Sequence, residues 1–238
     1  MILFLTSLTS DSITGKLFTI NNFTNELRLC FPLTCKALQI CSDPNDPQDM
    51  DYYAMIMRNS FEQAHLNFTS YKTLDGRNEK EAKNLISEAN LIILSGGHVP
   101  TQNKFFHKIG LRKLLKDYQG IVIGISAGSM NSADIVYSLP EEVGEAIDPK
   151  YERFLTGLAL TKTMLLPHYN SFSDEELDGL KLYEEIACPD SVGKTFYAIC
   201  DGSYLFKNND KEEIRGEAYK IQDGKITQVA KVGEIYKL

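Results

Sequence analysis

The chain has 238 residues, a formal charge of −7 and 43% hydrophobic residues, enough for one large α/β domain or two small ones. That apolar content excludes a disordered chain, and the lack of clustered Lys and Arg excludes a nucleic-acid partner. No stretch is long and apolar enough to span a membrane, and the five cysteines, an odd number with no Cys-x-x-Cys pair and no leader ahead of them, point to reduced thiols in a cytoplasm.

Residues 1–6 are an apolar run that breaks at Thr6-Ser7, which predicts a first strand. After a polar region over 9–24, residues 37–41 predict the next strand and 42–47 a loop stiffened by Pro44 and Pro47. Residues 51–68 have apolar residues near helical spacing, and 69–74 return as a strand before Asp75-Gly76. A helix over 78–89 places Ala82, Leu85, Ile86 and Ala89 on one face. A buried strand over 91–94 then ends in Ser95-Gly96-Gly97-His98, and a further helix covers 101–118. This alternation of helices with fully apolar strands predicts a mostly parallel sheet covered on both faces, a three-layer α/β/α sandwich.

The next strand carries the most informative stretch. The run Ile121-Val122-Ile123 passes through Gly124-Ile125-Ser126-Ala127-Gly128 into small residues, which reads as a strand, a sharp turn and a helix. The Gly-x-Ser-x-Gly pattern fits a nucleophile elbow, although an ordinary strand-to-helix turn has the same letters. Beyond Ala133, residues 138–151 form an acidic excursion able to cover part of a site, and strand-like runs over 154–166 end in Pro167-His168-Tyr169-Asn170. Residues 174–188 predict a helix with Leu177, Leu180, Tyr183, Ile186 and Ala187 placed to pack. From Thr195 the pattern is β, a C-terminal extension with turns at Asn208-Asn209-Asp210 and Asp223-Gly224-Lys225. No repeat or low-complexity linker divides residues 1–238, so a single domain is expected.

In a parallel α/β sheet, ligands gather beyond the carboxyl ends of the strands, and the polar residues there are Asp43, Gly97, His98, Ser126, His168 and Asp201. A serine nucleophile needs a base. Of the four histidines, His65 and His107 fall in predicted helices, His98 lies beside a glycine pair where it could face substrate, and His168 follows a strand and a proline. The base in turn needs an acid to fix its tautomer. Asp201, turned by Gly202 at a strand end, is the better candidate, and Asp134, on the helix after Ser126, is the alternative. The N–H groups of Gly97 and Ala127 would make an oxyanion hole. No dinucleotide or phosphate-loop fingerprint and no metal-ligand spacing is present, so neither a cofactor nor a metal is expected.

Together, Ser95-Gly96-Gly97, Gly124-Ile125-Ser126-Ala127-Gly128, Leu166-Pro167-His168-Tyr169 and Asp201-Gly202 resemble the peptidase E (aspartyl dipeptidase) family of serine peptidases, within the class I glutamine amidotransferase-like fold and akin to the cyanophycinases. The resemblance covers essentially the whole chain. It implies Ser126 as nucleophile, His168 as base and Asp201 as acid, in an order unlike that of α/β-hydrolases. His98, Tyr169 and Asn170 become candidates for contact with substrate. Asp201 stands where well-known members carry glutamate, and Gly-Gly-His98-Val99 where they carry Gly-Gly-Asn-Thr. An Asp-X preference would need a cation near the scissile bond, and no arginine lies between His168 and Arg215. The expected activity is hydrolysis of small peptides, dipeptides among them, by a monomer or homodimer. The alternatives are a cyanophycinase-like isoaspartyl or amide hydrolase and a non-catalytic binder of small ligands.

Overall fold

The computed structural model describes residues 1–209 and 211–238 of the chain. Its strands are β1 (Ile2–Thr6), β2 (Cys35–Ile40), β3 (Phe68–Leu74), β4 (Leu91–Leu94), β5 (Ile121–Ile125), β6 (Ile135–Tyr137), β7 (Phe154–Thr156), β8 (Met164–Leu166), β9 (Glu176–Leu177) and β10 (Leu180–Lys181). They continue with β11 (Thr195–Ile199), β12 (Tyr204–Asn208), β13 (Lys211–Arg215), β14 (Ala218–Gln222), β15 (Lys225–Ala230) and β16 (Ile235–Lys237). The helices are α1 (Phe23–Cys30), α2 (Pro47–Gln63), α3 (Ala82–Glu88), α4 (Val99–Lys108), α5 (Leu111–Leu115), α6 (Ala127–Asn131), α7 (Tyr169–Phe172) and α8 (Cys188–Asp190).

Eight strands form the central sheet in the order β16-β13-β12-β1-β5-β4-β2-β3. From β1 to β3 every pairing is parallel, and β12, β13 and β16 continue the sheet antiparallel. Strands β4 and β5 are buried along their whole length, as the unbroken apolar runs require. Alternate side chains feed opposite layers. Leu3, Leu5, Ile92, Leu94 and Val122 meet Leu85 of α3, Phe105 and Phe106 of α4 and Leu115 of α5. Phe4, Ile93, Ile121, Ile123 and Ile125 meet Phe23 and Leu27 of α1 and Phe61 of α2. The expected α/β/α sandwich is therefore present, and the β-rich C-terminus divides. Part extends the central sheet, and β11, β14 and β15 join β8 in a second sheet of order β15-β14-β11-β8.

Several boundaries differ from the sequence expectation. Helix α2 begins at Pro47, inside the expected loop, because the Asp46 carboxylate accepts the Asp49 N–H at 3.0 Å and Pro47 occupies the first helical turn. It ends at Gln63, so His65 lies in the following turn at φ 60°. The helix expected over 101–118 is two helices, divided at Gly110 with φ 66°. The polar region after β1 leads into α1, whose apolar face is only Phe23 and Leu27. The helix expected over 174–188 is largely absent: Asp178 and Gly179, both at positive φ, turn the β9–β10 hairpin, and a π-helical segment Leu182–Ala187 follows. Of the turn at Asn208-Asn209-Asp210, Asp210 lies outside the described residues. Among those residues, no helix is long and apolar enough to cross a membrane.

Phe4, fully buried, touches the rings of Phe23, Tyr204 and Phe206 and joins the middle strand to α1 and β12. Phe4→Ala is expected to cost about 3–5 kcal/mol of unfolding free energy, measured by urea denaturation. A loss under about 1 kcal/mol would place the anchor of this layer elsewhere.

Candidate active site

The carboxyl ends of β1, β4 and β5 lie side by side, and the residues just beyond them build the site. After β5 the chain turns at Ser126 with φ 48° and ψ −113°. For a non-glycine residue such backbone costs on the order of 1–3 kcal/mol and persists only where its surroundings enforce it. Here the Ser126 N–H donates to the Thr6 carbonyl at 3.0 Å and its carbonyl accepts the Ser129 N–H at 2.9 Å. The buried Ser129 hydroxyl donates to the same Thr6 carbonyl at 2.8 Å. The flanking glycines are required by close approach. A Cβ on Gly124 would lie 2.9 Å from the Ser129 backbone, and one on Gly128 2.3 Å from the Leu94 carbonyl oxygen, so α6 rests directly on the ends of β5 and β4.

His168 follows β8 and Pro167, in the left-handed region at φ 61°. Its N–H donates to the Ser7 hydroxyl at 3.0 Å, and that hydroxyl donates to the Ile199 carbonyl at 3.1 Å. Its ring Nδ1 lies 2.8 Å from Asp201 Oδ1. Asn170 braces the acid from the other side: its side-chain oxygen accepts the Asp201 N–H at 2.8 Å and its amide donates to Oδ2 at 3.3 Å. Burial pushes the Asp201 pKa up. The hydrogen bond and charge of His168 and the bond from Asn170 outweigh it, and the carboxyl sits below its ordinary value.

Ser126, Gly97 and His168 line one cavity of about 380 Å³, together with Pro140, Glu141 and Leu177. A second cavity of about 560 Å³ shares Gly97 and Ser126 and runs past Ser42 toward Asp43, Asp46 and Asp49. Gly97 has φ 145°, and a Cβ there would strike the Ser42 hydroxyl at 2.4 Å, so only glycine fits between the cavities. Ala127 is the first residue of α6, where a helix N–H lacks an intrahelical partner.

The other sequence candidates are placed as follows. Both ring nitrogens of His98 are engaged, Nδ1 with the Thr101 hydroxyl at 2.8 Å and Nε2 with Glu145 at 2.9 Å. Tyr169 packs its ring against Tyr183 and Tyr219. Asp134 pairs with Arg112 at 2.7 Å on the surface, away from His168. His98, Glu142 and Glu145 bring one ligand atom each within 4.8 Å of one another, and are the one such group among the described residues. The residues that sequence reading missed are Ser7, Ser42 and the cavity carboxylates Glu141, Glu175 and Glu176. Ser7 was detectable, because it follows the first strand. A larger cavity, about 1170 Å³, contains none of the candidate residues and is lined by Arg112, Lys113, Lys116 and Lys207.

The family model for Peptidase family S51 matches residues 44–215, a span that includes Ser126, His168 and Asp201. No curated relative matches the sequence. Among solved structures, the chain is similar to a peptidase from an acI-B1 Actinobacterium, with 16% identity, a TM-score of 0.70 and coverage of 100% of this chain and 96% of the other. It is also similar to a protein of Listeria monocytogenes EGD-e assigned as a peptidase E, with 17% identity, a TM-score of 0.60 and coverage of 96% and 98%. At these identities the likeness is one of fold.

Because its folded-state pKa is lowered, Asp201 contributes stability that is complete above the ordinary carboxylate range and lost as pH falls through the lowered value. The stability difference between the protein and Asp201→Asn should therefore shrink as pH falls below about 4. A difference that widens below about pH 4 would contradict this.

Proposed function

Since the chain belongs to peptidase family S51 and is a serine-type peptidase, we propose that it hydrolyses small peptides with Ser126 as nucleophile, His168 as general base and Asp201 as the acid that orients it. The 2.8 Å contact between His168 Nδ1 and Asp201 carries this reading. A carboxylate at Nδ1 holds the proton there and leaves Nε2 as the basic nitrogen. Ser126 and His168 both line one cavity, which supports pairing the hydroxyl with that ring.

The Ser126 hydroxyl attacks the scissile carbonyl carbon and its proton passes to His168 Nε2. The carbonyl oxygen takes the negative charge and accepts hydrogen bonds from the Gly97 and Ala127 N–H groups. Collapse of this adduct breaks the C–N bond, and His168 gives its proton to the leaving amine. Water, deprotonated by the same ring, then attacks the acyl-serine ester, and the proton returns to Ser126 as the acid product leaves. Asp201 stays ionised throughout, braced by Asn170.

The lining of both cavities argues against aspartate as the preferred residue. Glu141, whose carboxyl pKa is pushed up to about 8 by burial, Glu175 and Glu176 face one and Asp43, Asp46 and Asp49 the other, and neither contains a lysine or arginine among the described residues. An aspartate side chain entering here would lose water without gaining a cation. Neutral and basic peptides are the substrates this lining suits. The five cysteines are unpaired, four of them buried, which supports a reducing cytoplasm. The reading takes residues 1–238 as one domain that works as a monomer or homodimer.

A fluorophosphonate probe should label the protein at Ser126, with labelling abolished in Ser126→Ala and strongly slowed in His168→Ala. Survival of labelling in Ser126→Ala would refute the nucleophile. Asp201→Asn should lower kcat by on the order of a thousandfold or more, whereas Asp134→Asn should stay within about twofold. On a panel of Asp-X, β-Asp-X, neutral and basic dipeptides, kcat/KM should be highest for the basic ones, and the contrast should shrink with added salt. Preferential cleavage of β-Asp-X would favour the isoaspartyl hydrolase alternative.

A further inference from the structure

Resting on that reading, we propose that His98 and Glu145 form a clasp that positions the Gly97 N–H group by tying the Gly96-Gly97 loop to the segment roofing the cavity. His98 immediately follows Gly97. Its ring is anchored to α4 through Thr101 at 2.8 Å and to the roof through Glu145 Oε1 at 2.9 Å. The second oxygen of Glu145 accepts the N–H groups of Glu141 and Glu142 at 2.9 and 3.0 Å, in the turn whose Pro140 and Glu141 line the cavity. Glu145 is thus one carboxylate shared between the roof and the loop.

The loop needs such an anchor because its central residues supply none. On the near side Ser95 is fixed: its N–H donates to the Ile40 carbonyl at 3.0 Å, and its carbonyl accepts Gln102 Nε2 at 2.7 Å. Between Ser95 and His98 stand only two glycines, the residues with the greatest backbone freedom. Ser42 blocks Gly97 on one side, where a Cβ would meet its hydroxyl at 2.4 Å. The other restraints on the Gly96–Gly97 peptide are the close packing of Gly96 against Ile125 and Ser126 and the seat of His98, whose carbonyl accepts the Gln102 N–H at 3.1 Å and whose ring is the tie to the roof. The clasp also survives a change of charge on the ring. With Nε2–H donated to Glu145, Nδ1 accepts from the Thr101 hydroxyl when the ring is neutral and donates to the same oxygen when it is an imidazolium.

The roof has a second, separate fastening. The Asp178 carboxylate, in the β9–β10 turn, accepts the N–H groups of Gly144 at 2.9 Å and Ala146 at 3.1 Å. The roof therefore keeps its place when His98 is removed, and the tie to the loop is what is lost. His98 is a positioning residue in this scheme: its two nitrogens are spent on Thr101 and Glu145, and its effect on the reaction passes through Gly97.

The test compares His98→Ala, Glu145→Ala, the double variant and the milder His98→Asn and Glu145→Gln. Thermal melting would first establish that each is folded. With a dipeptide substrate, each alanine variant should lose about ten- to a hundredfold in kcat with KM changed less than about threefold. The rate at which a fluorophosphonate phosphonylates Ser126 with loss of fluoride, its phosphoryl oxygen taking the place of the oxyanion, should fall in parallel. The double variant should be no worse than the poorer single one, because the pair acts as a unit. The milder variants should lose less than the alanine variants. A kcat within twofold of the parent in folded variants, a rise in KM alone, or losses that multiply in the double variant would each overturn the clasp. Failure of the underlying reading is distinguishable, because it would show as labelling that persists in Ser126→Ala whatever His98 and Glu145 do.

Discussion

The carboxyl end of β1 is the point on which the site depends. Thr6 and Ser7 are consecutive residues, yet they serve the two sides of the cavity. The Thr6 carbonyl takes hydrogen bonds from the Ser126 N–H and the Ser129 hydroxyl, and the Ser7 hydroxyl takes the His168 N–H. Both elements that follow begin in unfavourable backbone: Ser126 at φ 48° and His168 at φ 61°. Strain of this kind must be outweighed locally, and buried hydrogen bonds from one rigid strand do so at both places. Because β1 is the middle strand, paired to β5 on one side and β12 on the other, it has little freedom to shift. Ser126 and His168 are therefore both tied to two consecutive residues at the end of β1.

That arrangement also explains why the glycines lie where they do. A helix leaving a strand at a sharp turn would ordinarily keep the distance of one side-chain layer. Here α6 comes down onto β5 and β4 closely enough that Gly124 and Gly128 have no room for a Cβ. The approach seats the first turn of α6 on the carboxyl end of β4. The same two glycines thus serve packing and site geometry together, and neither demand can be relaxed alone.

Much of this was legible in the sequence. The buried strands were readable as apolar runs because both their faces are covered, and Ser126, His168 and Asp201 because each follows a strand. The rest was hidden for physical reasons. Residues 174–188 have helical spacing, but Asp178 is drawn to the Gly144 and Ala146 N–H groups, distant in sequence, and the chain makes a hairpin there instead. Tertiary hydrogen bonds overrode a local pattern. The roles of Glu145 and Asn170 were illegible for the same reason, since a carboxylate that accepts roof N–H groups or an amide that braces an acid leaves no mark in spacing. Ser7 was missed differently: its position at a strand end was visible, and only its hydrogen bond to His168 was not.

The acidic balance of the chain acquires meaning only when it is divided in space. A charge of −7 spread evenly would be a matter of solubility. Instead carboxylates line both cavities at Ser126, and the large cavity away from the site has Arg112, Lys113, Lys116 and Lys207. Several carboxylates of the roof and the α2 entrance are also structural, with Asp46 capping α2, Asp178 seating the roof and Glu145 joining it to His98. Irregular segments cannot satisfy their N–H groups through a ladder, and a carboxylate satisfies two at once. A roof built without helix or strand therefore gathers acids: Glu145 and Asp178 hold it in place, while Glu141 of the same segment lines the cavity beneath.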